Sequence, residues 1–91
     1  MYVLVLDSLP PAHKACQGGH SVAQYLINNP KTPWSNGNMI YLDASEEQLR
    51  DHAAEHDTVP FWEEDFDNKL TAICCVTTDR KRFSKYKLVG A

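Results

Sequence analysis

The chain has 91 residues with a formal net charge of −3, 43% hydrophobic and 23% charged side chains. This length supports one hydrophobic core and is too short for two, so we expect a single domain over residues 1–91. The acidic balance excludes a protein held on nucleic acid by overall charge, and no apolar run is long enough to cross a membrane, so we expect a soluble, cytosolic protein.

The first predicted elements are a strand and a long helix. Residues 1–6 form a continuous apolar, β-branched run, which is typical of a central strand buried on both faces. Pro10 and Pro11 suit the first turn of a helix, and Pro30 follows its plausible end. The prolines therefore predict a helix over residues 11–28.

A turn separates this helix from the next strand and helix. The dipeptide Asn36-Gly37 is a strong turn signal, and a short apolar run at residues 39–42 follows it. Ser45 is a favourable helix cap, with acidic residues directly after it, so a second helix is expected over residues 46–56.

Two further strands complete the pattern. The apolar runs at residues 59–62 and 70–76 are joined by residues 65–69, which resemble a hairpin connection. The order β-α-β-α-β-β predicts an α/β fold with a four-stranded mixed sheet flanked by helices.

The first helix divides into two sides when its residues are placed 100° apart. One side is apolar and is expected to pack on the sheet, with Gly19 at its centre allowing close approach: Ala15, Cys16, Gly19, Val22, Ala23, Leu26 and Ile27. The other side carries hydrogen-bonding groups but no carboxylate: His13, Lys14, Gln17, His20, Ser21 and Gln24. Such a face suits an anionic ligand or a carbonyl group, or it is a polar face that meets water.

Part of this helix resembles a known family. Lys14, followed by Gln17-Gly-Gly-His20 and Ser21-Val-Ala23, is similar to the motif of peptidyl-tRNA hydrolases of the archaeal and eukaryotic type. That family has a four-stranded mixed sheet, with a Lys and a His at the active site beside an Asp and a Thr from the last hairpin. Here the Lys stands three residues before the Gln, where the family usually has four.

The resemblance implies hydrolysis of the ester between a peptide and the 3′ ribose of tRNA, with water as nucleophile and without a metal or other cofactor. It assigns the catalytic roles to Lys14, Gln17, His20, Asp65 and Thr71. Glu63 is an alternative to Asp65, and Glu64 stands between them, so three acids compete for one role. The resemblance extends to small, phage-encoded relatives, in which the fold can persist without the activity.

Charge is unevenly distributed along the chain. Four basic residues near the C-terminus are candidates for contact with tRNA phosphates, or belong to a solvated tail: Arg80, Lys81, Arg82 and Lys85. Ten of the 12 acidic residues lie between Asp43 and Asp67. The alternative function is that of a catalytically inactive relative, which engages a basic protein partner through this acidic stretch or binds RNA through the C-terminal basic residues.

Histidine and cysteine do not predict further chemistry. His52 and His56 have a spacing compatible with a metal, but no third ligand is evident. The three cysteines, Cys16, Cys74 and Cys75, form no metal-binding or disulfide pattern, so we expect small buried hydrophobic side chains.

Overall fold

The apolar run at the start of the chain forms an inner strand of the sheet. Strand β1 (Tyr2–Leu6) pairs in parallel with β2 (Ile40–Ala44) and antiparallel with β4 (Lys69–Cys75), whose other edge pairs antiparallel with β3 (Thr58–Glu63). The computed structural model, which describes residues 1–91, therefore has a four-stranded mixed sheet in the order β2-β1-β4-β3. The predicted α/β class and element order are confirmed.

Two helices connect these strands. Helix α1 (Pro11–Asn28) begins directly after Pro10, as the prolines predict. Helix α2 (Glu46–Ala53) begins with a capping box: the Ser45 hydroxyl accepts from the Gln48 backbone amide, and the Gln48 side chain accepts from the Ser45 amide. It ends three residues before the predicted end at residue 56, in a turn. Neither helix is long and apolar enough to span a membrane.

The helices cover opposite faces of the sheet. Helix α1 packs over one face, where the buried side chains include Val3, Val5, Val59, Ala72 and Cys74. Helix α2 and the C-terminal segment, residues 77–88, cover the other face. Its core includes Leu4, Leu42, Leu49, Ile73 and Phe83. The alternation of side chains along each strand supplies both cores.

The C-terminal residues protect the free edge of β2. Leu88 forms an antiparallel bridge with Leu42, and the backbone amides of Asp43 and Val89 bond to the carbonyls of Lys87 and Tyr41. An exposed edge strand would present unpaired amides to other chains, so this contact closes one edge of the sheet.

The orientation of α1 is opposite to the prediction. The residues buried against the sheet are Gln17, Gly18, Ser21 and Tyr25. Ala15, Cys16, Gly19, Ala23, Leu26 and Ile27 are exposed, and Val22 is half-buried. Ile27 is 71% exposed. The amphipathic pattern is present, but the prediction that its apolar side packs on the sheet was wrong.

The buried polar side of α1 is stable because its polar groups have partners. The Ser21 hydroxyl donates to the Gly18 carbonyl at 2.8 Å, within the helix itself. Gln17 is held by side chains of the sheet. A buried polar group costs little free energy when it is hydrogen-bonded, and Tyr25 adds apolar area to the same side.

The close approach of helix to sheet occurs at Gly18, whereas Gly19 was predicted. A Cβ atom at Gly18 would lie 2.8 Å from the Cζ atom of Tyr41 on β2. Gly19 has no neighbouring atom in the direction of a side chain. The role assigned to Gly19 was therefore wrong, because α1 turns its opposite side, the one that carries Gly18, to the sheet.

The hairpin connection before β4 has five residues, as predicted, but begins one residue earlier. A short 3₁₀ segment, Glu64–Phe66, follows β3, and Asp67 and Asn68 both adopt left-handed backbone conformations with φ of 55° and 57°. Asp and Asn tolerate this conformation better than most residues. The connection therefore covers residues 64–68.

Candidate functional site

Gln17 links the first helix to the last two strands. It is 3% exposed, its carboxamide oxygen accepts a hydrogen bond of 2.6 Å from the Thr71 hydroxyl, and its Nε2 donates to a Glu63 carboxylate oxygen at 2.9 Å. Because Thr71 occupies the oxygen side, the NH₂ group of Gln17 is directed at Glu63. One buried amide thus fixes the position of one carboxylate.

A β-bulge turns Thr71 toward α1. Phe61 pairs with Ala72 and Trp62 with Leu70, so Thr71 is the extra residue on β4. In a regular strand, the neighbouring residues Thr71 and Ala72 would point to opposite faces of the sheet. With the bulge, Thr71 and Ala72 are both directed to the α1 face, where Thr71 is fully buried.

Lys14 is held one helical turn before Gln17. Its ammonium lies 2.8 Å from the Asp43 carboxylate on β2, and the two side chains are 13% and 24% exposed. Asp43 shares the α1 face of the sheet with Tyr41, two residues earlier on the same strand. We call Lys14, Gln17, Asp43, Glu63 and Thr71 the α1 polar cluster.

Among the three candidate acids, Glu63 is the one that reaches this cluster. It lies at the end of β3 on the same face as Phe61, and it bonds to Gln17. Asp65 and Glu64 lie on the 3₁₀ segment beyond the strand, both exposed and without a hydrogen bond to the α1 polar cluster. Glu63, the predicted alternative to Asp65, is therefore the acid that contacts the α1 polar cluster, because strand alternation directs its side chain toward α1.

His20 lies next to the α1 polar cluster without bonding to it. Its imidazole stacks on the ring of Phe61, with the ring centres 4.8 Å apart and the planes at 13°. His20 is exposed, and it lies on the β3 side of α1 one turn after Gln17. Lys14, Gln17, His20 and Thr71, all predicted site residues, are thus brought to one region.

The carboxylates of this region are separated by the width of the sheet. Asp43 lies on β2 and Glu63 on β3, the two outer strands. Their backbones are at least about 14 Å apart, which is three strand spacings. Lys14 reaches toward the first and Gln17 toward the second. The arrangement places an ammonium and a carboxylate on either side of one exposed turn of helix.

Asp43 was missed as a site residue. Its sequence position offered a weak signal, because it directly follows the strand predicted at residues 39–42 and continues the alternation of Tyr41. Its pairing with Lys14 depends on the rotation of α1, which the sequence pattern predicted incorrectly.

The basic C-terminal segment lies away from the α1 polar cluster. Thr77 and Thr78 follow the end of β4 that pairs with Tyr2, whereas Asp43 pairs with the opposite end of β1. Phe83 packs on the α2 face, opposite α1. A phosphate bound by this segment would therefore lie at the other end and on the other face of the sheet.

Arg82 is not available for phosphate. Its guanidinium forms two hydrogen bonds to Asp57 and an ion pair with Glu55, and its side chain is 18% exposed. These contacts lower the pKa of Asp57, chiefly through the Arg82 hydrogen bonds. The other three predicted phosphate contacts, Arg80, Lys81 and Lys85, are exposed and form no ion pair.

His52 on α2 and His56 in the turn after it do not share a ligand site. His52 has its Nδ1 against Glu55 and its Nε2 2.7 Å from the Tyr86 hydroxyl, and its ring packs against Phe83. It therefore anchors the C-terminal segment to α2. No group of three or more His, Cys, Asp or Glu side chains is arranged to hold a metal.

The cysteines divide into two classes. Cys74 and Cys75 are fully buried, as expected, and burial raises the pKa of Cys74 to about 12 and that of Cys75 to about 11. Cys16 is exposed on the outer side of α1, so its predicted burial was wrong.

Chemically, the α1 polar cluster combines hydrogen-bond donors with one accessible acid. Lys14 has two N–H donors beyond the one bonded to Asp43, and the carboxylate of Glu63 has a second oxygen free of Gln17. None of the four grooves of the surface contains these residues. A substrate would therefore bind across the surface. Comparisons with protein-family models, with curated proteins and with solved structures found no match for this chain.

Proposed function

We propose that the protein is a carboxylic ester hydrolase of the peptidyl-tRNA hydrolase type, which cleaves the ester between a peptide and the 3′ ribose of tRNA. One observation carries the proposal: Gln17, itself fixed by Thr71, orients the Glu63 carboxylate beside the helix that carries Lys14. An acid held in one orientation and an ammonium one helical turn from the residue that holds it can serve ester hydrolysis by water, as general base and as oxyanion donor.

In this proposal, Glu63 removes a proton from water as the water oxygen attacks the ester carbonyl carbon. The carbonyl oxygen becomes an oxyanion, which accepts a hydrogen bond from the Lys14 ammonium. Collapse of the tetrahedral intermediate breaks the bond to the ribose oxygen, which takes the proton back from Glu63. The products are a free tRNA hydroxyl and the peptide carboxylic acid, which releases its proton to solvent, so atoms and charges balance.

The remaining residues position these two groups. Thr71 and Gln17 hold Glu63 and make no bond to the reacting atoms. Asp43 restrains the Lys14 side chain, whose long stem would otherwise sample many rotamers. His20, one turn beyond Gln17, is assigned to orienting water at the same edge of the helix.

The test is release of the N-acetyl-amino acid from an N-acetyl-aminoacyl-tRNA. We expect hydrolysis by the wild type, and loss of about 100- to 1000-fold in Lys14→Met, the size of effect seen when an oxyanion donor is removed. Lys31→Met is the matched control, since Lys31 is exposed on a loop and makes no ion pair. Wild-type hydrolysis no faster than buffer, or equal rates in the two variants, would contradict the proposal.

A second candidate is a binding module that keeps the fold without catalysis. The observation that favours it is that every buried side-chain nitrogen and oxygen already has a partner, so the α1 polar cluster is also complete as a structural link. Several residues of the acidic stretch are neutralised within the chain, by Lys14, Arg50, Lys69 and Arg82. The connection of the hairpin, residues 64–68, keeps three carboxylates without an ion pair: Glu64, Asp65 and Asp67.

Those three carboxylates would contact a basic protein partner. Binding of a nona-arginine peptide should be lost when they are replaced by Gln, Asn and Asn, and kept when Glu47 and Asp51 on α2 are neutralised instead. Binding that depends on the hairpin, combined with an absence of ester hydrolysis, would favour the module over the enzyme. Equal weakening in both variants would show only a general charge effect and would reject the hairpin as the contact.

A further inference from the structure

A groove of about 690 Å³ lies at the opposite end of the sheet from the α1 polar cluster, on the α2 face. Its floor includes Tyr2 on β1 and Ile40 and Leu42 on β2, and its wall is the C-terminal segment from Thr77 to Leu88. This volume is within the range of small-molecule sites, which is about 300 to 1000 Å³.

The charge of this groove is opposite to that of the whole protein. Arg80 is its one charged side chain, and no carboxylate lines it. Lys81, Lys85 and Lys87 lie in the same segment, all exposed, and none of these four cations forms an ion pair. In a chain with a net charge of −3, this is a local basic surface that selects an anion.

The groove also offers neutral donors and aromatic surface. The hydroxyls of Thr78 and Ser84 make no hydrogen bond within the protein, so both can serve a ligand. Tyr86 is half-buried against His52, and the Lys85 ammonium lies 5.4 Å from the centre of its ring. Tyr2 presents a second half-buried ring.

We propose that this groove binds a nucleotide unit of a single-stranded nucleic acid. Guanidinium, ammonium and hydroxyl groups are the usual partners of phosphate oxygens, and tyrosine rings beside apolar side chains accept a base. A phosphate alone would leave the apolar floor unused, and an apolar ligand would leave Arg80 unused. The proposal does not depend on ester hydrolysis, because this groove and the α1 polar cluster share no residue.

The experiment is fluorescence anisotropy with 5′-fluorescein-labelled octauridylate over a range of salt concentrations. The double substitution Arg80→Gln with Lys85→Gln should weaken binding at low salt by at least about tenfold. It should also reduce the slope of log affinity against log salt by about 1.4, because each phosphate contact on a single strand contributes about 0.7. Both residues are exposed, so the variant should keep its circular dichroism spectrum.

Lys69→Gln is the matched control, since Lys69 is an exposed lysine at the far end of β4 from Thr78. An octamer of abasic deoxyribose phosphate tests the base, and a polyglutamate peptide tests whether any anionic chain suffices. The proposal predicts weaker binding of both. Absence of octauridylate binding, or an equal loss of affinity in Lys69→Gln, would overturn the proposal. Binding of the abasic octamer or of polyglutamate as tight as that of octauridylate would also overturn it.

Discussion

The Thr71 hydroxyl donates a hydrogen bond of 2.6 Å to the side-chain oxygen of Gln17, a residue 54 positions earlier in the chain. The bond joins the bulge of β4 to the buried side of α1, and it is fully enclosed. It also determines which end of the Gln17 amide faces Glu63. Fold and candidate site therefore depend on the same contact.

Replacing Thr71 by Val should destabilise the protein by about 1 to 3 kcal/mol, because the isosteric side chain leaves the buried Gln17 oxygen without a donor. Urea unfolding measures this cost. Thr78→Val is the control, since the Thr78 hydroxyl has no partner in the protein and should change stability little. Equal unfolding midpoints for the two variants would show that the Thr71 bond does not hold the helix.

The two adjacent glycines of α1 should respond in opposite directions. Gly19→Ala adds a methyl group in open space and removes backbone freedom from the unfolded chain, so it should stabilise the fold by about 0.4 to 1 kcal/mol. Gly18→Ala places a methyl group against the Tyr41 ring and should cost about 1 to 3 kcal/mol through overpacking.

Thermal unfolding followed by circular dichroism distinguishes these two substitutions, each of which serves as the control for the other. A higher melting temperature for Gly18→Ala than for Gly19→Ala would mean that α1 is rotated as its apolar pattern suggests.

Cysteine reactivity should report the same rotation. Burial raises the pKa of Cys74 to about 12 and that of Cys75 to about 11, so neither thiol should react at pH 8 in the folded protein. Cys16 is exposed and should react at once with Ellman's reagent. We expect one fast thiol, absent in Cys16→Ser, and three after unfolding in urea. Slow reaction of Cys16 would place it against the sheet.

Stability should fall in acid partly through Asp57. Hydrogen bonds from Arg82 lower the pKa of Asp57 in the folded state, so its contribution is present above the unfolded-state pKa of about 4 and is lost as the pH falls through the folded-state value. Because Asp57 is 39% exposed, solvent screening limits that contribution to about 1 kcal/mol.

Asp57→Asn should therefore reduce stability at pH 7 and flatten the decline below pH 4, as measured by urea unfolding at several pH values. Asp51→Asn, on the exposed side of α2, should leave the pH profile unchanged. If stability depended on pH in Asp57→Asn as it does in the wild type, the contact between Arg82 and Asp57 would not stabilise the folded state.

Local signals predicted the elements of this fold well. The apolar run of β1, the prolines around α1 and the Ser45 cap each act over a few neighbouring residues, so they can be recognised in sequence. The grouping of Lys14, Gln17, His20 and Thr71 came from family resemblance, and the structure brings these residues to one region.

The rotation of α1 and the identity of the acid could not be predicted in the same way. Both depend on contacts distant in sequence: Gly18 against Tyr41, Lys14 with Asp43, and Gln17 with the bulged Thr71. A polar side can be buried when its partners are supplied elsewhere, and hydrophobic periodicity alone does not contain that information. The bulge has no local sequence signature here, yet it directs Thr71 to the helix.

The most direct test of the proposed function compares two acids of one hairpin as catalysts of N-acetyl-aminoacyl-tRNA hydrolysis. The proposal predicts that Glu63→Gln lowers kcat/KM by about 100- to 10,000-fold, the range for loss of a general base, while Asp65→Asn keeps the wild-type value. Undiminished hydrolysis by Glu63→Gln, or a loss found only in Asp65→Asn, would contradict the assignment of Glu63 and the role of Gln17 in orienting it.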